Sequence, residues 1–262
     1  MQNLLLDTTL DHGVLVISFN RPEKMNAWTY AVQAELCKTV EAANRDAEVD
    51  AVVLTGSGKG FCSGADISAV FGLDAEQKKQ GIEGSRINEW IALVRRSKPM
   101  IAAVNGPAFG IGVTLILPMD QIIAAEGATF ALAFVKMGIV PELASSSLLH
   151  LRVGFGAASR LTLTGDTVTA QEACDIGLVD RVVPAEMLMA EAKALARRMG
   201  RNPAAALVEA KQLLSDNARE PDLSKVQQRE MQALARCFTT AEHKEAVAAF
   251  LEKRAPDFKS LR

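Results

Sequence analysis

The chain contains short apolar runs separated by segments of mixed polarity. Continuous runs of strand length occur at GVLVISFN (13–20), AVVLTG (51–56), MIAAVNG (100–106) and QIIAAEG (121–127). Short apolar runs that are bounded by glycine or polar turn residues are typical of buried strands. The pattern therefore predicts several buried strands in the first half of the chain.

Helical periodicity separates these strands and then dominates the rest of the chain. Apolar residues recur at helical spacing from about Trp28 to Arg45, and residues 76–96 have the same character. In TAQEACDIG a threonine precedes Glu172 by three residues, which is the spacing of a capping box. Further helices are expected after Pro184, over 204–215 and over 241–254. Strand and helix alternation followed by a helical C-terminal third predicts an α/β or α+β fold.

The composition is that of a globular protein without unusual charge. The 262 residues are 49% hydrophobic and 23% charged, and the formal net charge is -2. This balance provides no concentrated basic surface, so we expect no nucleic-acid partner. The N-terminus has no signal-peptide pattern, and the longest apolar run, FGIGVTLILPM, is too short to cross a bilayer. We therefore expect a cytoplasmic protein without a membrane partner.

The cysteines, histidines and serines form no recognisable metal-binding or nucleophilic pattern. The four cysteines are far apart without a CxxC pair, and the three histidines are isolated. We expect no metal ion, and a reducing compartment without disulfides. The serines at 145–147 lack the G-x-S-x-G context of a serine hydrolase. A glutamate is then the best remaining candidate for proton transfer.

Glu142 has the most apolar neighbourhood of the glutamates, within MGIVPELASSS (137–147). Burial of a carboxyl group disfavours its charged form, which raises its pKa toward a useful value for a general base. The alternative is a solvent-facing carboxylate near a helix start, where the helix dipole favours negative charge. These residues alone do not decide between the two interpretations.

Two glycine-rich loops, GSGKGFCSG (56–64) and GPAFGIG (106–112), each follow a buried strand. The first is not a Walker loop, and it is a poor match to the dinucleotide fingerprint. Each loop taken by itself is explained as a tight strand-to-helix turn. Two such loops about 45 residues apart could also place backbone N–H groups around one oxygen, as in an oxyanion hole.

Four segments, in order, resemble the crotonase superfamily, the enoyl-CoA hydratase/isomerase proteins. They are NRPEKMNA (20–27), GKGFCSGADI (58–67), KPMIAAVNGPAFGIG (98–112) and AFLEKRAPDF (249–258). The resemblance implies a crotonase fold, a spiral of ββα units over residues 1–200, and a helical C-terminal region over 201–262 that builds homotrimers or hexamers. It also implies an acyl-CoA thioester as substrate and no separate cofactor.

The resemblance assigns an oxyanion hole to two backbone N–H groups. These are the N–H of Ala65, which follows the glycine of SGAD, and the N–H of Ile111 in AFGIG. An isoleucine in place of the more usual glycine keeps the donor and adds a side chain beside the acyl site. Each well-placed donor would stabilise the enolate oxygen of the thioester by about 3–4 kcal/mol.

Typical hydratases of the family carry two catalytic glutamates, and this sequence has neither. Thr114 and Phe134 occupy the corresponding positions. FVKMGIVPELASSS (134–147) resembles instead the 3-enoyl-CoA to 2-enoyl-CoA isomerases of the peroxisomal type, which have a glutamate directly after the proline. Glu142 falls on that position. The resemblance therefore predicts an isomerase in which Glu142 removes a proton from C2 and returns it to C4.

Other functions stay open at this point. The alternatives are an enoyl-CoA hydratase, another isomerisation such as that of an aromatic acyl-CoA, and a non-catalytic acyl-CoA-binding protein. All of them share the acyl-CoA ligand, so they differ in the groups that act on it.

Further positions of the resemblance line the CoA path in the family. They are Lys24, Met25, Ala27, Ser63, Asp66, Ile67, Phe250 and Lys253, the last two often across a subunit boundary. Structural alternatives are a helix cap for Asp66 and a core position for Phe250. Large apolar residues that are candidates for the border of the acyl pocket are Trp90, Phe109 and Phe134.

Overall fold

A computed structural model describes residues 5–261 and contains nine strands within them. The strands are β1 (Leu6–Asp11), β2 (Val14–Phe19), β3 (Ala51–Gly56), β4 (Met100–Val104), β5 (Ala108–Phe109), β6 (Gln121–Ala125), β7 (Thr129–Ala131), β8 (Thr167–Thr169) and β9 (Arg181–Val183). A six-stranded sheet has the order β1-β2-β3-β4-β6-β9, and a smaller sheet has the order β5-β7-β8. In the larger sheet β1 and β2 are antiparallel and the remaining pairs are parallel.

Ten α-helices lie in the described part of the chain. They are α1 (Tyr30–Arg45), α2 (Ala75–Ser85), α3 (Trp90–Arg96), α4 (Ile111–Thr114), α5 (Ser145–Thr164), α6 (Ala170–Asp175), α7 (Leu188–Gly200), α8 (Ala204–Asn217), α9 (Leu223–Phe238) and α10 (Ala241–Leu251). A π-helical turn covers Ile67–Phe71, and a short 3₁₀ helix covers Val135–Met137.

The larger sheet is covered on both faces. β3 and β4 are buried along their whole length, which agrees with their continuous apolar sequences. Val53, Ile101 and Ile123 belong to a cluster with the apolar face of α7. Their neighbours Val52 and Leu54 belong to the main core with α1 and α3, because successive side chains of a strand point to opposite faces.

The glycine-rich loops extend the smaller sheet. Isolated parallel bridges join Trp28 to Ala65 and Cys62 to Ala108. Ala108 in turn pairs with Phe130 of β7. The loops that follow β2, β3 and β4 are therefore stacked side by side at the carboxyl ends of their strands.

Most of the predicted elements are confirmed. The strands at 51–56, 100–104 and 121–125 are present, α1 ends at Arg45, and the Thr169–Glu172 capping box is formed. The prediction of helix throughout residues 76–96 is wrong, because the segment is divided at Arg86. Arg86 has a left-handed φ of 57°, and its guanidinium binds Glu41 and Glu89. This break separates α2 from α3.

The C-terminal helices begin against the main body and then present apolar side chains to solvent. Lys211 of α8 is buried and lies 2.7 Å from Asp120, so α8 is tied to the residue that precedes β6. Phe238 is 54% exposed and Leu251 is 74% exposed. The helix α9 is an element that the sequence pattern did not predict. Within residues 5–261, no helix combines the length and the apolar character that a membrane span requires.

Candidate active site

A cavity of about 700 Å³ lies where the two glycine-rich loops meet the segment before α5. Its walls are mainly apolar: Trp28, Ile67, Val70, Phe71, Ile82, Ile87, Ile91, Phe109, Ile111, Phe134, Met137, Ile139, Val140 and Leu143. Polar side chains in the described wall are those of Tyr30, Ser63, Asn88 and Glu142, and no lysine, arginine or histidine is among the lining residues. The cavity therefore contains one carboxyl group in apolar surroundings.

The first loop directs the N–H of Ala65 away from its neighbouring strand. Trp28 donates its N–H to the Gly64 carbonyl, and Asp66 donates to the Trp28 carbonyl, both at 2.8 Å. The residue between two such bonds points its own N–H the other way. Within residues 5–261 that N–H has no acceptor, and Ala65 lines the cavity. Gly64 has a φ of 104°, a conformation that L side chains rarely adopt.

The second loop presents the N–H of Ile111 at the first position of α4. Gly110 donates to the Ala131 carbonyl at 2.8 Å and turns the chain with a φ of 52°. The first N–H groups of a helix have no partner within it, and for Ile111 the described residues supply no other acceptor. A Cβ on Gly112 would lie 2.5 Å from the Cys62 carbonyl oxygen. Glycine at this position lets α4 pack directly against the first loop.

Glu142 faces the same cavity from an irregular segment between the 3₁₀ helix and α5. Its neighbours Leu143 and Ala144 both have a φ of 54°, in the left-handed region. Burial raises the pKa of the Glu142 carboxyl, and a hydrogen bond from Thr114 partly opposes that rise. The structure thus brings Glu142, Ala65 and Ile111 together around one apolar space.

Thr114 is a contact of Glu142 that the sequence analysis missed. Its side chain is completely buried in α4, and Oγ1 lies 2.5 Å from Oε1 of Glu142. The sequence analysis named Thr114 for the missing hydratase glutamate and not for any contact. A signal was present, because a hydroxyl inside the apolar run IGVTLIL needs a hydrogen-bond partner when it is buried.

Several predicted CoA-path residues surround the first loop. Ser63 and Ile67 line the cavity. Ser63 donates its N–H to the Met25 carbonyl at 3.0 Å and its hydroxyl to the Lys24 carbonyl at 3.4 Å. Ala27 is buried, and its carbonyl accepts from Arg21. The turn at 22–27 is therefore hydrogen-bonded to the first loop, but Lys24, Met25, Ala27 and Asp66 do not themselves line the cavity.

Asp66 caps the π-helical turn and forms an ion pair. Its carboxylate accepts from the Ala69 N–H at 3.3 Å and lies 2.9 Å from the Arg21 guanidinium. Hydrogen bonds from Arg21 and Ser68 lower the pKa of Asp66 to about 2. The cap interpretation of Asp66 is confirmed, and Arg21 is a structural partner that the sequence analysis did not identify.

Two expectations about large side chains are wrong, and the C-terminal positions lie elsewhere. Phe250 is 82% exposed in the single chain and is not a core residue. Phe250 and the exposed Lys253 do not line the cavity. Trp90 is fully buried behind the wall, where its Nε1 donates to the Leu115 carbonyl at 2.8 Å. Phe109 and Phe134 do line the cavity, as expected.

The described residues contain no cluster of histidine, cysteine, aspartate and glutamate that is arranged to hold a metal ion. The cysteines at 37, 62, 174 and 237 are free thiols. Burial raises the pKa of the Cys62 thiol to about 11, so it is a poor nucleophile. The Glu142 carboxyl group and the backbone N–H groups of Ala65 and Ile111 are therefore candidates for proton transfer and for hydrogen bonding to a ligand.

Comparison with known proteins agrees with this arrangement. The family described as enoyl-CoA hydratase/isomerase matches residues 9–261, and the chain belongs to this family. Its fold is the crotonase fold. An enoyl-CoA hydratase from Bacillus anthracis superimposes with a TM-score of 0.90 at 34% identity, covering 98% of this chain and 99% of that one.

Curated relatives have more than one activity. The 2,3-dehydroadipyl-CoA hydratase of Escherichia coli K12 is 36% identical, over 94% of this chain and 95% of the relative. The 1,2-epoxyphenylacetyl-CoA isomerase of the same organism is 35% identical, over 95% and 96% of the two chains. Enoyl-CoA hydratase/isomerase chemistry on an acyl-CoA is therefore supported, and the particular reaction depends on the side chains at the site.

Proposed function

We propose that this protein is a 3-enoyl-CoA to 2-enoyl-CoA isomerase in which Glu142 carries the proton. The observation that supports it is one partly buried carboxyl group facing a cavity that Ala65 and Ile111 also line. At the positions where the family resemblance places the two hydratase glutamates, this chain has Thr114 and Phe134. One base is sufficient for a 1,3-proton shift, whereas hydration also requires a positioned and activated water.

The reaction follows from the chemistry of these groups. The Glu142 carboxylate removes a proton from C2, and the electron pair of the C–H bond moves toward the thioester carbonyl to form a dienolate. The N–H groups of Ala65 and Ile111 stabilise the negative oxygen. C4 of the dienolate then takes the proton back from the Glu142 carboxyl group. The thioester carbonyl re-forms, and the double bond now lies between C2 and C3. Substrate and product have the same mass.

The apolar wall supports an acyl chain without a distal charge. No cationic side chain lines the described cavity, and Glu142 itself is acidic. An ω-carboxylate would enter without a counter-ion, which is costly in apolar surroundings. We propose straight or aryl-substituted apolar acyl groups as substrates. The relative named for 2,3-dehydroadipyl-CoA acts on an acyl group that ends in a carboxylate, so substrate preference is a point of expected difference.

The remaining assignments belong to the same proposal. Ser63 and Ile67 line the cavity, and Lys24 and Met25 are joined to Ser63 by hydrogen bonds, so these four residues would guide the CoA moiety into the site. Phe250 and Lys253 would reach a neighbouring subunit in a homotrimer or hexamer, which fits the large exposed fraction of Phe250. We propose that the enzyme acts in the cytoplasm and needs no cofactor besides its acyl-CoA substrate.

Product analysis tests the proposal. Purified protein is incubated separately with 3-hexenoyl-CoA, 2-hexenoyl-CoA and a 3-enoyl-CoA that ends in a carboxylate, and products are identified by mass spectrometry and NMR. We expect an equal-mass conjugated product from the first, little hydration of the second and slow turnover of the third. A main product that is heavier by one water would replace the isomerase proposal with a hydratase. Rapid turnover of the third substrate would contradict the proposed substrate class alone.

A further inference from the structure

Thr114, which does not line the cavity, forms a short hydrogen bond with Glu142, which does. Thr114 Oγ1 lies 2.5 Å from Glu142 Oε1, and the two residues are 28 positions apart in the chain. The threonine side chain is completely buried. Its other acceptor is the Ile111 carbonyl, which lies 3.4 Å from Oγ1 and offers a weaker alternative. The hydroxyl proton is therefore directed mainly at one oxygen of the glutamate.

The helix that carries Thr114 also begins with the proposed oxyanion donor. Ile111 is the first residue of α4, and Thr114 follows it by three residues, on the same side of the helix. The α4 backbone is itself held against Cys62 by the close approach at Gly112. Because Ile111 and Thr114 belong to the same short helix, the hydrogen bond from Thr114 holds the Glu142 carboxyl group at a fixed distance from the Ile111 N–H.

The backbone around Glu142 is irregular and supplies one further hydrogen bond to the carboxyl group. The segment from Gly138 to Ala144 belongs to no helix or strand, and Val140 within it is 79% exposed. The Ser145 N–H donates to the Glu142 carbonyl at 3.0 Å, a bond that does not orient the side chain. The Glu142 N–H donates to its own carboxyl group, and this bond lowers the carboxyl pKa less than the bond from Thr114 does. The direction of the carboxyl group depends on its own contacts.

We propose that Thr114 is a positioning residue that holds Oε1 of Glu142 by a hydrogen bond, so that Oε2 faces C2 and C4 of the acyl group. This inference rests on the proposed isomerase function. An ionised carboxylate accepts the hydroxyl proton at one oxygen and takes the substrate proton at the other. The threonine does not touch the substrate; it acts through Glu142.

Few titratable side chains lie near Glu142 in the described wall, so an effect of the Thr114 hydroxyl on the pKa of Glu142 can be measured. Besides Glu142, the titratable side chain in the described wall is Tyr30 of α1, whose own pKa is raised by burial. The wall residues supplied by α2, α3 and the 3₁₀ helix are Ile82, Ile91 and Met137. A hydroxyl donor stabilises the carboxylate form, so its loss raises the pKa of Glu142 further.

Three variants at position 114 test the inference. Thr114→Val and Thr114→Ala remove the hydroxyl, and Thr114→Ser retains it. We expect kcat for 3-enoyl-CoA isomerisation to fall about 10- to 100-fold in the first two, with KM changed less than about 2-fold. The acid limb of the kcat profile should move to higher pH. Thr114→Ser should restore kcat to within about 3-fold and return the limb to its original pH.

A second measurement does not depend on turnover. The titration of the Glu142 carboxyl carbon is followed by ¹³C NMR in the ligand-free protein, with Glu142→Gln used to assign the signal. The midpoint should be higher in Thr114→Val and Thr114→Ala than in wild type and Thr114→Ser. Equal midpoints in all four proteins, or wild-type kcat without the hydroxyl, would overturn the positioning role. Absence of isomerase activity in the wild type, with the midpoint still shifted, would count against the proposed function and not against the hydrogen bond.

Discussion

The two sides of the cavity are built in different ways. Backbone pairing fixes the donor side, where bridges at Trp28–Ala65 and Cys62–Ala108 hold the loops that follow β2, β3 and β4 against one another. The base side is the irregular segment that carries Glu142, with Val140 79% exposed. Reactive groups that are backbone N–H donors thus come from the rigid part of the fold. The side chain proposed to exchange a proton comes from a part with few backbone constraints.

This difference has a physical reason. A backbone N–H can be aimed only by fixing the chain itself, so the donor side requires regular pairing and glycines that allow close approach. A carboxyl group can be aimed by a side-chain partner, so its backbone needs less regularity. The chemistry of one site could then change within the family while the donor side is retained.

The largest expected effect comes from removing the base. Glu142→Gln keeps the size of the side chain and cannot accept a proton, so kcat for 3-enoyl-CoA isomerisation should fall about 100- to 10,000-fold. Steady-state kinetics and acyl-CoA binding by calorimetry measure it, and the binding constant should change little. Near wild-type kcat would show that another group is the base.

A distortion of the donor side should have the next largest effect. In Gly112→Ala the new Cβ would lie 2.5 Å from the Cys62 carbonyl oxygen, so α4 must move and carry the Ile111 N–H with it. We expect kcat to fall about 100-fold. Gly84→Ala is the matched control, because a Cβ there meets no atom within 4 Å. The control should keep its activity and gain about 0.5–1 kcal/mol of stability. Equal kcat in both variants would mean that the two loops are not rigidly coupled.

The ion pair between Arg21 and Asp66 should contribute to the stability of the folded protein. Asp66→Asn removes the charge that pairs with Arg21, and we expect a loss of about 1–3 kcal/mol in the free energy of unfolding at pH 7, measured in urea. The folded pKa of about 2 is below the unfolded value of about 3.9, so the contribution of Asp66 is present above the unfolded value and is lost as the pH falls through about 2. The difference between wild type and variant should therefore shrink in acid.

Asp74→Asn is the control for this change. Asp74 is also an N-cap residue, and its side chain accepts from the Gln77 N–H at 2.8 Å at the start of α2. Asparagine is an equally good N-cap residue, so the stability should change by less than about 0.5 kcal/mol. A loss as large as that of Asp66→Asn would assign the effect to capping in general and not to the pair with Arg21.

The smallest effect is expected on the base side. Ala144 has a left-handed φ of 54°, and glycine adopts this conformation without the steric cost of a Cβ. Ala144→Gly should stabilise the protein by up to about 1 kcal/mol, whereas Ala42→Gly in the exposed part of α1 should cost about 1 kcal/mol. Thermal unfolding measures both changes. Destabilisation by both would mean that the left-handed turn next to Glu142 stores no relievable strain.

Much of the fold was predictable because its signals are local. The strand at 51–56 and the helix ending at Arg45 follow from apolar runs and helical spacing, and the Thr169–Glu172 cap from two residue types at one spacing. The break at Arg86 was not predictable in this way. Its left-handed backbone is accompanied by ion pairs with Glu41 and Glu89, of which Glu41 is distant in the chain.

The sequence by itself indicated four strands of the larger sheet, several of the helices, the two glycine-rich loops and Glu142 as the candidate base. Only the tertiary structure decided that Ala65, Ile111 and Glu142 face one cavity and that Thr114 is the partner of Glu142. Hydrophobic periodicity and turn residues determine structure over a few neighbouring positions, so their effects can be predicted from the amino-acid sequence. A hydrogen bond between side chains 28 residues apart exists because α4 and the segment before α5 pack against each other, and local pattern contains no record of that contact.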